Sequence, residues 1–221
     1  MSFFAEKHYP EAVLGSSLDE YLARGWYRMG QSIFTTHFLC FGEQLYSAIW
    51  IRLNMQQHQF RKGQRKLMRK NAERFQIKYA PFKLTQEKEN LYQKYKQHFP
   101  GYIARSLQES LLDGEEYNTY HTIESQIYDG DQLVGLSYFD IGYCTMLLEM
   151  EYCRQHSIKY YYPGYVVPGY ERFDYKLRVG EVEYLQLSTN SWEPYLKFQT
   201  KEVPLLQMEH QLKEAQVSLA K

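Results

Sequence analysis

The residues best equipped for chemistry lie in one short stretch, residues 158–178, IKYYYPGYVVPGYERFDYKLR. Tyr160, Tyr161, Tyr162, Tyr165, Tyr170 and Tyr175 give it six phenol rings in twenty-one positions. Each ring offers an apolar face for stacking and a hydroxyl for hydrogen bonding. Gly164 and Gly169 each follow a proline, so both dipeptides signal turns. A glycine there also lets backbone come close to a ligand. Lys176 and Arg178 close the stretch with positive charge. Together these residues could floor a site.

A second stretch, residues 60–78, is the most basic part of the chain. Arg61, Arg65 and Arg69 recur at i, i+4 and i+8, and Lys62, Lys66 and Lys70 repeat that spacing one step on. On a helix these positions make a broad cationic stripe. Like charges at this spacing cost about 0.2–0.5 kcal/mol per pair on an isolated helix. A segment that accumulates that cost either is a solvated face or meets phosphate. Leu67 and Met68, between the charges, are expected to face the core.

The elements that must position these groups follow from periodicity. Ile158, Tyr160 and Tyr162 alternate with Lys159 and Tyr161, the pattern of a half-buried strand. A glycine-punctuated loop and a second extended piece over 173–177 come next, and a helix-like segment over 144–155 comes before. Ser17, with Glu20 three residues on, reads as the cap of a short helix stopped by Gly25. Residues 45–53 form a strand candidate. Residues 78–84 contain Pro81 and read as a linker. Thr85 caps a helix over 85–98 that Pro100-Gly101 ends, and a further helix spans 106–112. Strands over 117–127 and 132–138 join through Asp129-Gly130-Asp131, a hairpin turn. Asp140 can cap a helix over 141–156. Trp192 and Tyr195 fall in an irregular segment, and 202–220 reads as a charged C-terminal helix. The expected fold is α+β: a small N-terminal basic unit over 1–80 and, over 81–221, an acyltransferase-like (GNAT-like) mixed sheet with helices.

Composition narrows the classes. The chain has 221 residues, of which 44% are hydrophobic, enough for a real core. No apolar run approaches the roughly 18 residues of a membrane span. The first residues lack the basic-then-apolar layout of a secretory signal. Cys40, Cys144 and Cys153 are an odd number without a close pair, which argues against a disulfide framework, a zinc ribbon or an iron–sulfur cluster. The cytoplasm is the expected compartment. Net charge is zero, but residues 1–110 hold 17 Lys and Arg against 9 Asp and Glu (+8), and residues 111–221 hold 9 against 17 (−8). This asymmetry points to an anionic partner for the first half.

In this order, three segments resemble the aminoacyl-tRNA–protein transferases, the arginyl- and leucyl-transferring enzymes of the N-degron pathway. They are residues 18–30 (LDEYLARGWYRMG), residues 61–71 (RKGQRKLMRKN), and residues 142–176, with Tyr162, Gly164, Tyr165, Pro168, Gly169, Tyr175 and Lys176 in the family pattern. The family commonly carries several cysteines near the first segment. Here Cys40 remains and Ala48 stands where another would be expected, so no metal or other cofactor is implied. The family also has a further strand before the helix at Gly142, where this chain has only Asp140-Ile141.

The resemblance implies transfer of an arginine or leucine from the 3′ end of a tRNA to the α-amine of an acceptor protein with a free N-terminus. The ester is already activated, and an α-amine titrates near 7.7–8.0, so positioning can supply much of the rate. The lack of a convincing Ser-His-Asp or Cys-His pattern is no obstacle. On this reading Arg61, Lys62, Arg65, Lys66, Arg69 and Lys70 hold tRNA phosphates. Tyr162, Gly164, Tyr165 and Tyr175 belong to the aminoacyl-adenosine pocket. Arg28, Lys176 and Arg178 are candidates to meet an acidic acceptor residue. Asp174 orients the amine, and Tyr165 joins it at the reacting centre. DNA and membranes are not expected partners. Two alternatives stay open. One is an RNA-binding protein without transferase activity. The other is an acetyl-CoA-dependent N-acetyltransferase, against which stands Asp140, an anion where pyrophosphate would sit.

Overall fold

The protein, described here by a computed structural model over residues 5–13, 15–41, 43–99, 103–138 and 146–197, is built around one hydrophobic strand. This strand, β6 (Ile49–Asn54), follows β1 (Ala5–His8), α1 (Gly15–Ala23), β2 (Tyr27–Met29), β3 (Ser32–Thr36), β4 (Phe38–Phe41) and β5 (Gln44–Ser47). Its sequence, IWIRLN, is rich in β-branched and aromatic residues. Ile49, Ile51 and Leu53 point into the main core, where α5 (Met146–Gln155) brings Met146, Met150 and Cys153. Alternation sends Trp50 and Arg52 to the other face. The strand expected over 45–53 is interrupted at Ala48, whose N–H turns aside to the His37 carbonyl at 2.9 Å. β4 and β5 thereby become a hairpin of their own.

β6 lies inside an antiparallel sheet ordered β10 (Tyr160–Val166), β6, β11 (Glu183–Gln186), β12 (Ser191–Pro194). Trp192 therefore sits on a paired strand, and Tyr195 opens a short 3₁₀ turn, not an irregular segment. A second sheet orders β1, β3 and β2. A third is formed by β7 (Phe75–Pro81), β8 (Ile123–Asp129) and β9 (Gln132–Tyr138), with a tight turn at Gly130, where φ is +60°. Residues 78–81 are thus strand and not linker, because β8 pairs with β7 along its whole length. Hydrogen bonding crosses the expected boundary near residue 80 in two sheets, β7 to β8 and β6 to β10 and β11.

Helices α2 (Lys62–Ala72), α3 (Gln86–His98) and α4 (Leu107–Leu112) complete the α+β fold. Thr85 caps α3 by accepting from the Lys88 N–H, and Ser106 caps α4 by accepting from that of Glu109. Their satellite core joins Leu107, Leu111, Leu112 and Tyr138 with Phe82, Leu84 and Tyr92. A buried ion pair between Lys88 and Glu124 at 2.5 Å ties α3 to β8. α1 starts at Gly15, so Ser17 lies inside the first turn and is not its cap; Gly25, at φ +77°, ends it as expected. The Asp140-Ile141 junction, Cys144, Pro100-Gly101 and the helix expected over 202–220 lie outside the described residues. Among the described residues, no helix is long and apolar enough to cross a membrane.

Candidate active site

The Tyr/Gly/Lys stretch folds into β10 and an eight-residue 3₁₀ helix, Glu171–Arg178. Two expectations change here. Pro163-Gly164 is not a turn between strands. β10 pairs Tyr161 with Leu53 and Gly164 with Ile51, so three steps along β10 match two along β6. The extra residue forms a bulge, and Gly164 takes φ +90°, a backbone region open to glycine. Nor are residues 173–177 extended. With about three residues per 3₁₀ turn, Phe173 and Lys176 share one side. Tyr175 and Leu177 pack on the main core instead.

Lys176 reaches back to the bulge. Its Nζ donates to the Tyr165 carbonyl at 3.0 Å. It lies 5.1 Å from the centre of the Tyr165 ring and 5.3 Å from that of Phe173. A Cβ on Gly164 would come within 3.4 Å of Nζ and 3.8 Å of the Tyr27 ring. Trp50 meets Tyr165 edge-on at 5.3 Å, and Tyr27 stands 6.1 Å from Trp50. Phe41, from the β4–β5 hairpin, stacks on Tyr170 at 4.6 Å and reaches Phe173 at 6.0 Å. The amine therefore sits in a box of rings. Burial there pushes its pKa down to about 8, because low-dielectric surroundings disfavour the charged form.

The cationic helix is joined to this box through the end of the 3₁₀ helix. Gln64 of α2 donates to the Val179 carbonyl at 2.8 Å, and Val179 lies roughly 6 Å along the 3₁₀ axis from Lys176. Phe60, before α2, packs on the same core as Tyr161, Tyr175 and Leu177. Arg61, Lys62, Arg65, Lys66, Arg69 and Lys70 are all exposed. Among the described residues, no ion pair takes up any of these cations. Leu67 is 51% exposed and does not enter the core; no residue of α2 is buried. Arg65 and Arg69 line an open groove of about 680 Å³ together with Leu148 and Arg154 of α5 and Ile77 and Tyr79 of β7.

A family model described as arginine-tRNA-protein transferase, C terminus, matches residues 135–186, from β9 through the bulge and Lys176 to β11. Two aspartate/glutamate leucyltransferases of Leptospira interrogans, from serovars copenhageni and Lai, are each 23% identical over 194 residues, covering 76% of this chain and 74% of theirs. Both matches are to aminoacyl-tRNA–protein transferases, and together they support that family for this chain.

The residues singled out in the sequence fall in several places. Gly164, Tyr165 and Lys176 come together at the bulge. Tyr162 joins a different cluster, 5.8 Å from Trp192 and hydrogen-bonded to Arg52. There the Arg52 guanidinium lies 3.8 Å over Tyr160 and pairs with Glu183 at 2.6 Å. Asp174 lies near Tyr195, where its charge adds to burial in raising the phenol's pKa. Arg178 is exposed at the end of the 3₁₀ helix. Arg28 is elsewhere and already engaged. It is 2% exposed and bonds the carbonyls of Gly30 at 2.7 Å and Leu111 at 2.9 Å, the Thr122 hydroxyl and Asn118. It staples β2 to α4 and the 118–122 segment, so the expectation that it meets an acidic acceptor is corrected.

The sequence reading missed Glu149. This buried carboxylate accepts from the Tyr161 hydroxyl at 2.6 Å and from Ser137. Burial and the neighbouring Glu149 charge raise the Tyr161 pKa well above its ordinary value. Glu149 occupies an apolar position of the α5 pattern, with Met146, Met150 and Cys153 at i−3, i+1 and i+4. An acid at a core position is a readable signal. Trp50 and Tyr27 carried none, since strand aromatics are more often packing than site.

Proposed function

We propose that this protein moves an amino acid, leucine in preference to arginine, from charged tRNA to the N-terminal α-amine of acceptor proteins that begin with Asp or Glu. The observation that carries the reading is the meeting of Gly164, Tyr165 and Lys176 at the β10 bulge, one 3₁₀ turn from where the cationic helix is pinned. The six cations of α2 hold tRNA phosphates, an interaction that releases counterions and weakens with salt. Rings and open backbone at the bulge receive the aminoacyl end. Arg178, exposed at the end of the 3₁₀ helix, meets the acidic side chain of the acceptor. Leucine is preferred because the box is walled by rings, and no described carboxylate stands ready there for a guanidinium. The relatives' names point the same way for both substrates.

The reaction needs little covalent help. The ester is activated, and holding an amine against its carbonyl is worth about 7–11 kcal/mol of barrier. The test uses purified protein, tRNA charged with labelled leucine or arginine, and peptides beginning with Asp, Glu, Lys or Arg. Label should pass from leucyl-tRNA to the Asp and Glu peptides. Tight tRNA binding with no transfer would leave an RNA-binding protein, and turnover of acetyl-CoA without tRNA would replace the reading altogether.

A further inference from the structure

Lys176 has an odd environment for a cation. Among the described residues its Nζ makes one hydrogen bond, to the Tyr165 carbonyl, and it lies beside two rings, Phe173 from its own helix and Tyr165 from β10. Trp50 of β6 backs Tyr165. Tyr165 is the titratable group beside it, and burial holds that phenol above its ordinary pKa. Among the described residues, no carboxylate bonds the amine. Gly164 lets the β10 backbone come close to the amine, since a Cβ there would already touch Nζ at 3.4 Å. An amine so placed sits beside open backbone, and among the described residues no counter-charge fixes its protonation.

We propose that Lys176 is the general base and acid of the transfer, taking a proton from the acceptor's α-ammonium and passing one to the departing ribose oxygen. This inference rests on the transferase reading. In the step, neutral Nζ removes one proton from the acceptor ammonium. The freed nitrogen lone pair forms a bond to the aminoacyl carbonyl carbon. The ester C–O bond then breaks, the ribose oxygen leaves with its electron pair, and Nζ protonates it. The second ammonium proton goes to solvent. The products are an amide, a free tRNA 3′ end and one released proton, and Lys176 returns to its starting state. Burial supports the assignment: with the lysine near pH 8 and an acceptor α-amine near 7.7–8.0, proton exchange between them is close to thermoneutral. Arg178, exposed two residues on, is left to read the acceptor's charge.

The acceptor amine titrates in the same range, so the test is amine rescue and not a pH profile alone. The full chain is used in single-turnover transfer from leucyl-tRNA to an Asp-initiated peptide, with labelled peptide product as the readout. Lys176→Met and Lys176→Arg should each lose roughly 100-fold or more in rate. KM for peptide and tRNA should stay within about threefold. Methylamine, ethylamine and ethanolamine should restore Lys176→Met in proportion to their basicity. Retained tRNA affinity certifies the fold of each variant, and Lys176→Gln replaces any variant that lacks it. The proposal is overturned if Lys176→Arg keeps its rate, if the loss lies wholly in KM for acidic acceptors, or if no amine restores product. A wild-type protein that transfers nothing would instead overturn the transferase reading itself.

Discussion

Replacing Lys176 by methionine should make the protein more stable, and by an amount that depends on pH in a defined way. Burial lowers the native pKa of this amine from 10.5 to about 8. At about 1.4 kcal/mol per unit, keeping the ammonium in the ring box costs the folded state about 3 kcal/mol. Methionine has similar length and no charge to desolvate. It gives up the hydrogen bond to the Tyr165 carbonyl, which returns about 1 kcal/mol. The net gain at pH 6–7 is therefore about 2 kcal/mol. Below pH 8 both folded and unfolded wild type carry the proton, so the burial cost is present in full. Between about 8 and 10.5 the unfolded chain keeps the proton that the folded chain has shed, and linkage makes wild-type stability rise with pH. The advantage of methionine should shrink across that window and turn, above it, into a deficit of about 1 kcal/mol from the lost hydrogen bond. Urea unfolding of both proteins at pH 6, 7, 8, 9 and 10 measures this directly. A stability difference that stays constant with pH, or a methionine variant less stable at pH 6, would refute the view that the amine is held against a desolvation cost.

Further perturbations separate site from scaffold. Reversing charge at Arg65 and Arg69 together should weaken tRNA binding and lower the log–log salt slope by about 1.5, given about 0.7–0.9 per lost phosphate contact; an unchanged slope returns α2 to a solvated face. Arg28→Met should cost about 3 kcal/mol or more in denaturant unfolding, because it strands buried acceptors that the guanidinium now bonds. Its effect on acceptor choice should be nil in any folded fraction. Gly164→Ala must hold a Cβ at φ +90° against Lys176 Nζ. It should cost about 1–2 kcal/mol of stability and most of the transfer rate, and full activity in this variant would separate the bulge from the chemistry.

How much of this was readable before folding depends on the range of the forces involved. The cap at Thr85 and the Asp-Gly turn at residue 130 are local devices, and α3 and the β8–β9 turn formed where they signalled, although β8 begins at Ile123 and not at residue 117. The bulge was not readable, because an extra residue exists only relative to the register of β6. The 3₁₀ helix was misjudged for a related reason. Phe173, Tyr175 and Leu177 alternate as a strand would, but aromatic and apolar neighbours lie on both sides of this segment, so each residue finds a partner at the helical spacing too. Arg28 offered no sign of its burial because three of its partners, Thr122, Leu111 and Asn118, are 83 to 94 residues away in sequence. The sites of Gly164, Tyr165 and Lys176 were legible as a cluster of types, and their meeting point was not.

The β10 strand places an acid and a base on separate supports. Tyr161 ties one side of it to Glu149 in the main core, and Tyr165, past the bulge, ties the other to Lys176 in the ring box. Pairing follows the same division, with Tyr161 opposite Leu53 and Tyr165 opposite Trp50, residues that alternate to opposite faces of β6. A fold selected for stability alone would bring such charges together or replace both with apolar side chains, since an unpaired buried ammonium is costly and a well-packed hydrophobe of similar volume often stabilises. Here the strand keeps the lysine away from the nearest core acid and sets it beside open backbone. Had Glu149 reached Nζ, the carboxylate would have held the amine charged and raised its pKa, removing its capacity to accept a proton near neutrality. The bulge therefore does two things at once. It brings bare backbone at Gly164 up to Lys176, and by adding one residue it sends the Tyr165 ring to the face where Lys176 meets rings and no described carboxylate.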